Sequence, residues 1–163
     1  MQFQINALPV QDFAALFGAS DGELAERGIM RVTADKSPGF PCRVSLRDAD
    51  IGETLLLLNY EHQKAETPYR ASHAIFVREH AVQAQLAEGE IPVLFRHRLM
   101  SIRAFSEAGL MVDADVTEGV ELEKPIAAML ANAEVAYLHL HYAKPGCYAA
   151  RVDRALARTP AKP

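Results

Sequence analysis

Two histidines one residue apart, His139 and His141, precede a cysteine in the stretch YLHLHYAKPGCYAARVDR, residues 137–154. Imidazole nitrogens ligate transition metals and exchange protons near neutral pH, and a deprotonated thiol is a nucleophile. In a β-strand successive side chains alternate, which sends Tyr137, His139 and His141 to one face. Imidazoles so placed can share a metal ion, provided that a third ligand arrives from elsewhere. The remaining histidines are His62, His73, His80 and His97, and His62 is the third ligand in that reading. The plainer alternative is a pair of half-buried sheet histidines making ordinary hydrogen bonds.

Cys147 and His141 are the candidates for a nucleophile and its base, and their pairing depends on the turn between them. With Pro145 and Gly146 at its centre, His141 pairs with Ala150 and Ala143 with Tyr148. Tyr148 then joins the histidines and Cys147 lies opposite, which excludes the dyad. Pro-Gly favours a type II turn, whose twist suits a hairpin poorly, so a longer loop with shifted pairing stays open. A buried cysteine acting as a small hydrophobe is the competing role.

The stretch TPYRASHAIFVRE, residues 67–79, is the second place where polar groups gather. Tyr69, Arg70, Ser72 and His73 leave a proline and enter a strand, and the Arg70 fork can clamp a carboxylate or phosphate. A surface ion pair is the ordinary role for such an arginine. Arg103 interrupts the apolar-rich run LMSIRAF, and a buried guanidinium there demands an anionic or carbonyl partner. Asp113 and Asp115 on the following run are the structural candidates, and a ligand is the other.

These residues need a frame. The chain has 163 residues, half of them apolar and 23% charged, which fits one globular domain over residues 1–157 with a frayed tail, RTPAKP, over 158–163. FQINAL, IMRVTAD, TLLLLNYEHQ and HAIFVRE read as strands, and CRVSL as a strand end. PVQDFAALFG reads as a short helix. SDGELAERG reads as another, opened by a Ser20 capping box with Glu23. HAVQAQLAEGEIP is irregular with some helical character. LMSIRAFSEAGLMVDADV reads as a hairpin with Gly109 at its loop. LEKPIAAMLANAE is the clearest helix, its stripe made of Ile126, Met129, Leu130 and Ala133. Hairpins with helices toward the ends imply an α+β fold with a largely antiparallel sheet.

Composition narrows the function classes. A net charge of −4 with scattered Lys and Arg argues against nucleic acid as a partner. The chain begins without the basic start and apolar run of a secretory signal, and its longest aliphatic run is far short of the roughly 20 residues that span a bilayer, so a cytoplasmic protein off the membrane is expected. Its two cysteines, Cys42 and Cys147, are expected as free thiols. Exposed strand edges leave a homodimer open.

The segments PGFPCRVSL, PYRASHAIFVRE, SIRAF with LMVDADVTEG, and YLHLHYAKPGCYAARVDR together resemble an uncharacterised bacterial family, domain of unknown function 1203. The resemblance runs through nearly the whole chain and implies no reaction, cofactor or ligand. The family pattern has Gly-Pro where this chain has His73-Ala74 and Asn where it has Tyr142, which takes weight from both as site residues. Three functions follow as expectations. The first is binding of a small anionic or polar molecule through Arg70 and Arg103, helped by Tyr69, Ser72, His139, His141 and Tyr148. The second is a metal-dependent enzyme on His62, His139 and His141. The third is an interaction protein without a small-molecule site.

Overall fold

The computed structural model describes residues 2–155; the terminal RTPAKP lies outside them. Eight strands form two antiparallel sheets. The larger contains β1 (Phe3–Asn6), β8 (Tyr148–Arg154), β7 (Tyr137–Tyr142), β5 (Leu99–Phe105) and β6 (Met111–Glu118), in that spatial order. The smaller contains β2 (Met30–Thr33), β3 (Thr54–Gln63) and β4 (Ala71–Arg78). Three short helices complete the fold: α1 (Asp21–Glu26), α2 (Val93–Arg96) and α3 (Glu123–Ala131). The fold is therefore α+β, and among the described residues no helix is long and apolar enough to cross a membrane.

Period-two alternation explains how the five-stranded sheet is buried on both faces. Ile102 on β5, Leu138 and Leu140 on β7 and Val152 on β8 join Ile126, Met129 and Leu130 of α3 in one core. Each such side chain contributes about 1.5–3 kcal/mol by leaving water. The opposite face carries His139, His141 and Tyr148. There it meets the three-stranded sheet, whose Leu56, Leu58, Ile75 and Val77 pack into a second core with Tyr148.

Local signals hold in several places. Ser20 and Glu23 form the reciprocal capping box that opens α1, and Gly109 takes φ +77° in the β5–β6 loop. Others need correction. PVQDFAALFG forms two separate 3-10 turns, Val10–Asp12 and Ala14–Leu16, instead of one helix. CRVSL contributes an isolated bridge at Cys42 in place of a strand, and residues 81–92 contain no helix. Ala133 lies beyond the end of α3 and is exposed, so it leaves the apolar stripe.

The β7–β8 turn is longer than a two-residue hairpin. The Tyr142 amide donates to the Cys147 carbonyl at 3.0 Å and the Gly146 amide to the Tyr142 carbonyl at 2.8 Å. His141 therefore pairs with Tyr148, and an irregularity in register restores Leu140 opposite Ala150. Relative to a Pro145–Gly146 turn the pairing has slipped by two residues at His141–Tyr148 and by one beyond the irregularity, and the even slip at Tyr148 preserves its face. Tyr148 stays with the histidines and Cys147 stays across the sheet from His141.

Candidate functional site

The β5–β7–β8 register lays polar groups in rows across one face. Arg103 stands opposite His139, and His139 opposite Arg151. Ser101 stands opposite His141, and His141 opposite Tyr148. Paired residues share a face, so these rows form one polar patch inside a sheet sandwich. From the facing sheet come His62 at the end of β3 and His73 on β4. Pairing on β3 shifts between Glu61 and Gln63, which makes His62 the extra residue of a bulge, a device that re-aims a side chain.

Four imidazoles and one phenol meet there. His62 Nε2 lies 2.7 Å from His73 Nδ1, a hydrogen bond in which one ring donates and the other accepts. The other nitrogen of His62, Nδ1, lies 3.4 Å from His139 Nδ1. Tyr148 stacks on His62, with ring centroids 4.9 Å apart and planes 12° apart. His141 Nδ1 meets the Gly146 carbonyl at 3.0 Å, which makes Nδ1 the N–H donor and leaves Nε2 with a lone pair. That Nε2 atom is buried and has no hydrogen-bond partner among the described residues. A buried acceptor without a donor is costly and calls for an account.

Burial sets the charge state. His139 and His141 are 2% and 0% exposed. Desolvation first, then His62 and the guanidinium groups of Arg151 and Arg103, lowers the His139 pKa to about 3. Desolvation and Arg103 lower that of His141 to about 2. His62 falls to about 4 through burial, His73 and Arg103, and His73 is lowered by burial and by Arg103 and Arg43. All four rings are thus neutral at pH 7, the form that ligates metals.

One nitrogen each from His62, His73 and His141 lies within 4.8 Å of the others. Three nitrogens about 2.0–2.1 Å from a tetrahedral zinc ion stand about 3.3 Å apart, a spacing within the 4.8 Å that bounds this trio. His139 does not complete this trio; it flanks His62. The metal reading of the sequence, His62 with His139 and His141, is therefore corrected by exchanging His139 for His73. The Gly-Pro departure had counted against His73, and a strand-parity argument within TPYRASHAIFVRE has no means of showing that β4 crosses the histidine face of the other sheet.

The other predicted residues divide. Arg103 is half-buried, and among the described residues it makes no hydrogen bond or ion pair. Asp113 pairs with Ala104 and Asp115 with Ile102, so both acids point to the face opposite Arg103 and the proposed structural partnership fails. Arg70 does not join Arg103: it is exposed and paired with Glu61 at 2.5 Å. Tyr69 is 41% exposed and lies edge-on to Phe105. Ser72 is exposed and alternates away from His73. Arg43, which matches the family pattern but was given no ligand-binding or catalytic role from the sequence, is 1% exposed. The argument used for Arg103, a guanidinium inside an apolar-rich run, applies equally to PCRVSL and was the available signal.

A search of curated proteins and of solved structures found no match. A family model described as protein of unknown function (DUF1203) matches residues 39–154, a span that holds all four clustered histidines, Arg103 and Tyr148. With the matched span covering most of its length, the chain belongs to the DUF1203 family.

Proposed function

We propose that this protein holds one divalent transition-metal ion of the zinc class on His62, His73 and His141, and that a small anionic ligand or substrate occupies the ion's open position beside Arg103. The carrying observation is the buried Nε2 of His141, unpartnered among the described residues, on a ring that brings a nitrogen within 4.8 Å of nitrogens of His62 and His73. Neutral nitrogen ligands leave the charge of the ion uncompensated, and Arg103 adds another positive charge with no protein anion bonded to it among the described residues. An anionic fourth ligand answers both demands. Three protein ligands with one open position is the arrangement of catalytic zinc, where the ion acts as a Lewis acid or lowers the pKa of a bound water. Tyr148, stacked on His62, and His139, beside it, hold the His62 ring in place.

The test is metal analysis of untagged protein equilibrated with zinc and then dialysed. One equivalent is expected, falling at least about tenfold in affinity in His62→Ala, His73→Ala and His141→Ala. His139→Ala is expected to retain the metal. Absence of a stoichiometric ion from the folded wild type overturns the reading and leaves a buried imidazole network with a structural role.

A further inference from the structure

A second cluster of chemical groups lies at the β7–β8 turn, where a cleft of about 590 Å³ is lined by Arg43, His73, Arg98, Tyr142, Lys144 and Cys147 among others. Its unusual member is Arg43. Buried guanidinium groups are ordinarily met by carboxylates, yet the donors of Arg43 go elsewhere. Nε donates to the Tyr148 carbonyl at 2.8 Å, Nη1 to the Pro41 carbonyl, and Nη2 to Cys147 Sγ at 3.0 Å. No carboxylate is bonded to Arg43 among the described residues, and the side-chain atom that accepts from it is the Cys147 sulfur. The Arg43 fork thereby holds the Cys147 sulfur in a fixed position at the wall of the cleft.

Two further features concern what enters the cleft. Tyr142 is 4% exposed, and its hydroxyl is buried with no hydrogen-bond partner. Arg43 and Arg98 lie against its ring, with guanidinium carbons 5.0 and 5.3 Å from the centroid. Arg98 is neutralised by Asp48 at 2.6 Å, whereas Lys144 forms no ion pair among the described residues. The walls thus hold uncompensated positive charge, an idle hydroxyl and a partly exposed thiol. Cys42, by contrast, is fully buried, and its sulfur accepts from the amides of Ser45 and Arg78.

The geometry points to Cys147 as a nucleophilic thiol for small anionic carbonyl compounds, oxo acids, which enter this cleft and add to sulfur reversibly. The sulfur–carbon bond forms as the carbonyl π pair moves to oxygen, and the proton released by the thiol passes through solvent to that oxygen. The product is a hemithioacetal or hemithioketal, with no oxidant or second reactant consumed. Lys144 and Arg43 supply the charge that draws the carboxylate in, and the Tyr142 hydroxyl is the donor available to the carbonyl oxygen. His141 takes no part, since it lies across the sheet. The cleft shares His73 with the proposed metal site, so the test uses metal-free protein.

The probes are iodoacetamide, iodoacetate and glyoxylate, with the modified cysteine identified by mass spectrometry of the native protein. Cys147 is expected to react with iodoacetamide at least about tenfold faster than glutathione at pH 7, while Cys42 stays unmodified. The iodoacetate-to-iodoacetamide rate ratio is expected to exceed that of glutathione, because the cleft is cationic. Glyoxylate is expected to protect Cys147 in a saturable manner, and Tyr142→Phe to weaken that protection about tenfold. A Cys147 rate no faster than glutathione overturns the activated thiol. Fast alkylation without saturable protection, or without the anion preference, overturns the oxo-acid ligand, and undiminished protection in Tyr142→Phe overturns the role of the hydroxyl.

Discussion

Strand β7 has two faces that bury equally well and do different work. Leu138 and Leu140 are fully buried among the helices, and His139 and His141 are almost fully buried against the second sheet. The apolar face is satisfied by contact alone. The imidazole face is satisfied only in part: His139 is near His62, His141 bonds through one nitrogen to the Gly146 carbonyl, and its other nitrogen has nothing. Burial of polar rings without full partnering costs stability, so the second face is where structure has been given up for something else. Breaking each face in turn should expose that difference.

The largest effect belongs to the apolar side. Leu140→Ala removes a 0% exposed side chain from the main core and is expected to destabilise the protein by about 2–5 kcal/mol, read from the urea midpoint. The imidazole side responds instead to acid. The folded values of His139 and His141, about 3 and about 2, lie below the ordinary 6.5, so the unfolded chain binds protons first. Their contribution is constant above neutral pH, declines as the pH falls below 6.5, and levels off only near the folded values. At pH 5 each of the two is expected to cost metal-free protein ~2 kcal/mol relative to pH 7. A urea midpoint unchanged between those pH values would mean that the rings are not held neutral.

The comparison also separates what a sequence can and cannot disclose. Alternation in YLHLHY was sufficient to split the leucines from the histidines and to put Tyr148 with the latter, because an even slip in register leaves faces unchanged. The hairpin of β5 and β6 was legible from SEAG for the same local reason. Contacts between sheets were not. Nothing in period two says that a bulge turns His62 toward His141, that His73 lies over the same point, or that Arg70 ends on Glu61 at the surface. Those facts belong to the packing of one sheet on another, which depends on segments far apart in the chain. Asp113 and Asp115 failed as partners of Arg103 within reach of local reasoning, because the pairing that determines the face was left unassigned there.

A smaller effect is expected where a polar group on the leucine side of β7 has no partner. Tyr142 shares the face of Leu138 and Leu140, and burial holds its phenol strongly toward the protonated form. Tyr142→Phe discards an unsatisfied hydroxyl and keeps the ring against Arg43 and Arg98, so stability is expected to stay level or rise by up to about 1 kcal/mol. A loss of more than that in thermal unfolding would reveal a partner for the hydroxyl in solution.

The smallest effect is assigned to the arginine that sequence reading ranked beside Arg103. Arg70 is 56% exposed in its side chain and bound to a Glu61 that is itself 38% exposed, a setting in which an ion pair contributes roughly 0.2–1 kcal/mol and is screened by salt. Arg70→Ala is therefore expected to shift stability by less than about 0.5 kcal/mol, with the shift vanishing in 1 M salt, and to leave zinc stoichiometry unchanged. Arg103→Ala, by contrast, removes the guanidinium that bears on all four imidazoles, and is expected to tighten zinc while weakening any anion bound with it. Measured side by side in zinc titrations with and without phosphate, the two variants distinguish an arginine that faces the site from one that only resembles it in sequence. Equal behaviour of the two would remove Arg103 from the anion role and leave the histidines alone at the centre.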